Sequence, residues 1–132
     1  MLSFRFPWFA AVLLTLLAAG LPGPVHAAGR GVDTNSLQVL LRDAPGSVFL
    51  LDVRTPREYA GGRLPGSVLI PMNQVPGRLA EIPKDKKVVV VCATGARSGA
   101  VTNYLHQRGY PKAVNYVGGV YDWSRRSLQL ER

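Results

Sequence analysis

Two uninterrupted apolar runs constrain the fold of this chain more than any other feature of its sequence. They are Val48-Phe49-Leu50-Leu51 and Val88-Val89-Val90-Val91, and neither alternates between apolar and polar residues. A continuous apolar run of this length is typical of a strand that is covered on both faces, as in a parallel sheet. The two runs therefore predict central strands of a sheet that lies between layers of helices.

Helical patterns alternate with strand patterns along the rest of the chain. The predicted elements, in order, are a helix capped by Asp33 or Thr34 that ends at Ala44-Pro45-Gly46, a strand at 48–51, a short helix capped by Thr55, a strand at 67–70, a brief helix at 74–80, a strand at 88–91, a helix at 98–108, a strand at 113–117 and a helix at 120–126. Alternation of this kind predicts an α/β fold with a small central parallel sheet and helices on both faces.

Three segments follow the ends of predicted strands. They are Asp52-Val53-Arg54, Cys92 to Arg97, and Gly118-Gly119. In open parallel sheets, ligands bind beyond the carboxyl ends of the strands. We therefore expect the three segments to meet at one edge of the sheet and to form the functional site there.

The segment from Cys92 to Ser98, hereafter the active loop, carries the only cysteine of the chain. No internal disulfide is possible, so the thiol is either buried and inert or free and reactive. Gly95 permits the positive φ that would turn the backbone N–H groups of the loop toward the sulfur. Such donors, a following helix start and the cation of Arg97 would lower the pKa of the thiol. The arrangement favours a reactive thiolate, with Arg97 as a donor to an oxyanion.

Other polar residues near the predicted site have simpler interpretations. Asp52 organises the end of its strand by hydrogen bonds and Arg54 pairs with a nearby carboxylate, although either residue could contact a substrate. Arg57 and Glu58 form a solvated helix face. Ser98 serves the start of its helix.

Four further residues are expected to have minor roles. His106 is the only histidine after Ala27 and is interpreted as a surface residue rather than a base. Tyr121 and Trp123 are expected to contribute to packing. Asp122 is a weak candidate for an acid that would protonate a leaving group.

The N-terminal residues have the pattern of a secretory signal. Arg5 precedes an apolar stretch over 9–21, Pro22-Gly23-Pro24 breaks any helix, and Val25-His26-Ala27 precedes a cleavage point. This predicts a signal peptide over 1–27, a domain over 28–132 and a periplasmic location. The alternative is a retained membrane anchor, but a spanning helix needs about 20 apolar residues and this run is shorter.

The formal net charge of +8 describes a basic protein. Its basic residues are scattered rather than clustered, and an exported protein would not meet nucleic acid, so we expect no nucleic acid partner. We interpret this charge as a soluble basic surface, and the alternative is a positive cleft that attracts small oxyanions. After cleavage of the signal we expect no stable membrane span, and the sequence gives no oligomeric state.

Two families place a cysteine and an arginine on a loop of this kind. Protein tyrosine phosphatases have five residues between them, whereas four residues separate Cys92 from Arg97. A shorter loop makes a tighter bowl, which suits a single sulfur better than a tetrahedral phosphate. A phosphatase remains the weaker alternative.

The chain resembles a single-domain rhodanese. The active loop is similar to that of the family, the stretch Leu51 to Tyr59 with Gly62 to Ser67 is similar to its first motif, and Gly118 to Trp123 is similar to its closing segment. The family more often has His where Arg63 stands. The exported single-domain form is similar to periplasmic phage-shock-type rhodaneses.

This resemblance implies sulfur transfer through a persulfide on Cys92, from a donor such as thiosulfate to cyanide or a thiol. It implies that Arg97 binds the departing sulfite and that no metal or organic cofactor is required. An alternative is a persulfide-carrying module that delivers sulfur to a partner protein. The substrate-binding residues that the resemblance implies are Ala93, Thr94, Gly95, Ala96, Arg97 and Ser98.

Overall fold

A computed structural model describes residues 31–132 of the chain. The predicted signal peptide over 1–27 lies outside the described residues. Within residues 31–132, no helix has both the length and the apolar character needed to cross a membrane.

The centre of the fold is a parallel sheet of four strands in the order β2-β1-β3-β4. The strands are β1 (Val48–Asp52), β2 (Val68–Leu69), β3 (Lys87–Val91) and β4 (Ala113–Asn115). The two apolar runs of the sequence form β1 and β3, which pair over five residues in the middle of the sheet. The predicted α/β fold with a parallel sheet is confirmed.

Residues 31–132 contain four α-helices, of which the second and third connect strands, the first precedes β1 and the last follows β4: α1 (Thr34–Asp43), α2 (Pro56–Gly61), α3 (Ala96–Gln107) and α4 (Gly119–Arg125). The brief helix predicted over 74–80 is wrong, because this segment forms two 3-10 turns, Met72–Gly77 and Leu79–Glu81. Pro76 lies inside the first turn. Proline supplies no N–H to an α-helical ladder, so the segment adopts short 3-10 turns instead.

Alternate residues of the central strands pack into two separate cores. One core lies under α3 and contains Leu51, Val53, Ile70, Val75, Ile82, Val88, Val90, Cys92, Val101, Leu105, Tyr110 and Ala113. The other lies under α1 and α4 and contains Leu37, Leu50, Leu64, Val89, Val91, Tyr116, Val120 and Trp123. The predicted helices on both faces are therefore present, and Cys92 belongs to the face that α3 covers.

A buried ion pair fixes the chain where β1 ends. The Nη2 atom of Arg54 lies 2.7 Å from Oδ2 of Asp52, and neither side chain is more than 5% exposed. Arg54 also donates to the carbonyl oxygen of Gly62 at 2.9 Å, which ties the end of β1 to the end of α2. The predicted pairing of Arg54 with a carboxylate is present, and its partner is Asp52.

Removing the guanidinium should destabilise the fold strongly. Arg54→Met leaves the Asp52 carboxylate buried without its cation, and we expect a loss of about 3–5 kcal/mol in the free energy of unfolding. Urea denaturation followed by circular dichroism measures this loss. As a control, Arg57→Met at an exposed position should change stability by less than about 0.5 kcal/mol. Equal, small losses in both variants would contradict a structural role for the buried pair.

Candidate active site

The thiol of Cys92 lies at the carboxyl end of β3, beneath the active loop. Cys92 follows the last residue of the strand and is only 1% exposed. Gly95 has φ +93° and precedes the first residue of α3, so the chain reverses over the thiol. Its N–H donates to Sγ of Cys92 at 3.1 Å. The predicted positive φ of Gly95 is confirmed, and it starts α3 at Ala96, two residues earlier than expected.

Ser98 is a second donor to the sulfur. Its hydroxyl donates to Sγ of Cys92 at 3.2 Å, and the residue is fully buried. The expectation that Ser98 serves the start of the helix is wrong. The left-handed conformation of Gly95 begins the helix earlier and places Ser98 in its first turn, where the hydroxyl points at the thiol instead of capping.

These contacts set the acidity of the thiol. Burial raises the pKa of Cys92. The side-chain and backbone hydrogen bonds from Ser98, with those from the N–H groups of Thr94 and Gly95, together lower the pKa by more than burial raises it. The net result is a Cys92 pKa below its ordinary value. Hydrogen bonds to sulfur favour the thiolate, which is the nucleophilic form of cysteine.

The first turn of α4 holds the other side of the active loop. The carbonyl oxygens of Cys92 and Ala93 accept hydrogen bonds from the N–H groups of Val120 at 2.9 Å and Tyr121 at 3.0 Å. Gly119 has φ +64°, and a Cβ atom there would lie 2.3 Å from the Ala93 carbonyl oxygen. Glycine is therefore required at this close approach. The predicted meeting of strand-end segments at one edge of the sheet is confirmed.

Asn115, the last residue of β4, also supports the loop and was not singled out from the sequence. Its side-chain amide donates to the carbonyl oxygen of Gly95 at 3.0 Å. The signal that could have identified it is a polar side chain within the otherwise apolar predicted strand over 113–117, level with Val90 in the sheet, two residues before Cys92. A polar residue at that level is positioned to contact the neighbouring loop.

Arg97, in the first turn of α3, is paired with a carboxylate. Its Nη1 and Nη2 atoms donate to the two carboxylate oxygens of Glu58 at 2.9 and 2.7 Å. The interpretation of Glu58 as part of a solvated face is therefore wrong, because tertiary folding brings α2 against the first turn of α3. The sequence signal was the spacing of Thr55 and Glu58, which forms the capping box of α2 and holds the carboxylate in place.

Glu58 and Arg97 are both ionised at neutral pH. The hydrogen bonds from Arg97 are the largest cause that lowers the pKa of Glu58, to about 2, and the same contact raises the pKa of Arg97. A carboxyl group with a lowered pKa stabilises the fold above its ordinary pKa of 4.5, and this contribution is lost as the pH falls toward 2. At neutral pH Arg97 and Glu58 therefore form an ion pair whose net charge is zero.

Within residues 31–132, none of the remaining candidates is a hydrogen-bond partner of the Cys92 sulfur. His106 is exposed and bonds to the carbonyl oxygen of Ala113, which confirms its surface position. Trp123 is buried as expected, whereas Tyr121 is 66% exposed, so the packing interpretation is confirmed for Trp123 alone. Asp122 accepts from the hydroxyl of Thr34.

The hydrogen bonds that Asp122 accepts from Thr34 and Arg125 lower the pKa of its carboxyl group to about 2. A carboxyl group with this pKa is ionised at neutral pH and holds no proton to give to a leaving group. Asp122 is therefore not the acid that a phosphatase mechanism would need.

Comparison with known proteins points to one family. Residues 34–126 match the rhodanese-like domain. A protein named sulfurtransferase from Allochromatium vinosum is 42% identical over 99 residues, covering 75% of this chain and 92% of that protein. The crystal structure of a rhodanese-like domain protein from Staphylococcus aureus is 35% identical with a TM-score of 0.69, covering 78% of this chain and 99% of that one. A human single-domain sulfurtransferase is 30% identical with a TM-score of 0.65, covering 73% and 96% of the two chains.

Removing the hydroxyl of Ser98 should make the thiol less acidic. In Ser98→Ala the largest cause that lowers the Cys92 pKa is lost while burial still raises it, so the pKa should rise. The pH profile of alkylation by iodoacetamide measures this change, and its midpoint should move to higher pH. Ser124→Ala, at an exposed serine of α4, should leave the midpoint in place. A midpoint in Ser98→Ala that is unchanged, or lower, would show that the hydroxyl does not stabilise the thiolate.

Proposed function

The chain belongs to the rhodanese-like family and has sulfurtransferases among its relatives, and on this basis we propose that it carries a sulfane sulfur on Cys92. The donor is a compound such as thiosulfate, and the acceptor is a thiophile such as cyanide or a thiol. Delivery of the persulfide sulfur to the thiol of a partner protein is the same chemistry with a larger acceptor.

The observation that carries this proposal is the set of donors around one sulfur atom. Gly95 and Ser98 both donate to Sγ of Cys92, and the pKa of the thiol is lowered although it is buried. A structural cysteine at the end of a core strand needs no such donors. A nucleophile needs them, because they hold negative charge on sulfur in a site that largely excludes water.

The reaction follows from this arrangement in two displacement steps. The Cys92 thiolate attacks the outer sulfur of thiosulfate, the sulfur–sulfur bond breaks, and sulfite leaves with the electron pair. Cyanide or a thiolate then attacks the outer sulfur of the Cys92 persulfide, and the Cys92 thiolate leaves with the electron pair. Each step exchanges one bond to sulfur, so no oxidant or reductant is consumed.

Cys92→Ser should abolish sulfur transfer, because a hydroxyl cannot carry the sulfane sulfur. Thiocyanate formation from thiosulfate and cyanide measures the loss of activity. In the unchanged protein, intact mass after thiosulfate treatment should show one added sulfur atom on Cys92, removed again by cyanide. Transfer that persists in Cys92→Ser, or an unmodified Cys92 after treatment, would refute the proposal.

We also propose that the protein is exported to the periplasm with cleavage after Ala27. The charged start, the apolar middle and the small-residue exit of residues 1–27 support this location. Protein recovered from the periplasmic fraction of a bacterial host should have the intact mass of a chain that begins at Ala28. Recovery of a chain that retains Met1 in the membrane fraction would favour the anchor instead.

A further inference from the structure

The cation of the active loop is neutralised before any substrate arrives. Both terminal nitrogens of Arg97 donate to the Glu58 carboxylate, and the two side chains are 37% and 35% exposed. An anionic donor that approaches the loop therefore meets a carboxylate beside the guanidinium. Paired in this way, Arg97 attracts an anion less strongly than an unpaired arginine would.

Glu58 cannot move aside without losing further contacts. Its carboxylate also accepts from the N–H of Thr55 at 3.0 Å and from the Thr55 hydroxyl at 2.9 Å. These bonds close the N-terminus of α2 and hold the carboxylate toward α3. The ion pair is thus anchored on both sides, by the cap of α2 and by the first turn of α3.

The second arginine near this edge of the sheet is neutralised in the same way. Arg54 is buried against Asp52, with Nη2 and Oδ2 2.7 Å apart. The strand-end segments therefore contribute two guanidinium groups that are each matched by a carboxylate. The overall charge of +8 consequently overstates the attraction that these arginines offer to an anion at the site.

We propose that Glu58 is a specificity-determining residue that biases the site against dianionic sulfur donors and toward donors of lower charge. Its carboxylate acts through Arg97, by neutralising the guanidinium and occupying its two terminal nitrogens. This inference rests on the proposed sulfur transfer through Cys92 and adds the charge class of the donor to it.

Two donors of different charge allow a direct test. Thiosulfate is a dianion that releases sulfite, and methanethiosulfonate is a monoanion that releases methanesulfinate. In both cases the Cys92 thiolate attacks the outer sulfur, the sulfur–sulfur bond breaks, and the leaving group departs with the electron pair. The two probes thus share one reaction and differ by one unit of charge.

Glu58→Gln is the informative variant, because glutamine keeps the capping box of α2 while removing the charge. We expect kcat/KM for thiosulfate to rise on the order of fivefold. This factor corresponds to the upper end of the interaction free energies of partly exposed ion pairs. The kcat/KM for methanethiosulfonate should rise less, and the increase in kcat/KM for thiosulfate should become smaller at high salt. Steady-state kinetics with cyanide as acceptor gives both values.

Two controls separate this role from general effects. Glu81→Gln removes a carboxylate that pairs with Arg78 instead of the active loop, and it should leave the ratio of the two kcat/KM values unchanged. In an Arg97→Met background, Glu58→Gln should no longer change that ratio, because the cation through which Glu58 acts is gone.

The outcomes that overturn the inference are distinct from failure of the proposed function. If Glu58→Gln lowers kcat/KM for thiosulfate, Glu58 holds Arg97 ready for the donor rather than opposing it. An unchanged ratio, or an effect that persists without Arg97, also overturns the inference. In each of these cases the unchanged protein still gains one sulfur atom on Cys92. Failure to gain that sulfur would instead refute sulfur transfer itself.

Discussion

The parallel pairing of β3 between β1 and β4 is the constraint on which the rest of the structure depends. Four of the five residues of β3 are valines that are buried on both faces, so the hydrogen-bonding edges of the strand can only be satisfied by neighbouring strands. Because all three strands run in the same direction, their carboxyl ends lie at one edge. Cys92 follows β3 directly and therefore lies between the segments that follow β1 and β4. The position of the thiol is a consequence of the sheet order.

Backbone conformation, more than side-chain chemistry, shapes the site around the thiol. Gly95 turns its N–H toward the sulfur with φ +93°, and Gly119 allows the turn before α4 to approach Ala93. Asn115 then donates to the carbonyl oxygen of Gly95 from the end of β4. These contacts hold the active loop from the end of β4 and the start of α4, so the donors to Cys92 are in place before a substrate binds. Such preorganisation is what stabilises charge in a reacting group.

Charge at the site is balanced locally although the protein is basic overall. Asp52 neutralises Arg54 in the interior, and Glu58 neutralises Arg97 in a partly exposed pair. The buried pair has a structural consequence, since it joins the end of β1 to the end of α2. The partly exposed pair of Arg97 and Glu58 has a chemical consequence, since it weakens the attraction of the loop for an anion. Counting charged residues alone would have assigned the same role to both arginines.

The sequence by itself determined the fold class, the central strands, the position of the thiol and the need for a glycine at Gly95. Each of these follows from local rules: apolar runs predict buried strands, and a positive φ favours glycine. Only the tertiary structure decided that Ser98 donates to the thiol, that Asn115 supports Gly95 and that Glu58 pairs with Arg97. Glu58 and Arg97 lie 39 positions apart in the sequence. Their contact depends on how α2 and α3 pack around the sheet, and no local pattern of residues encodes that packing.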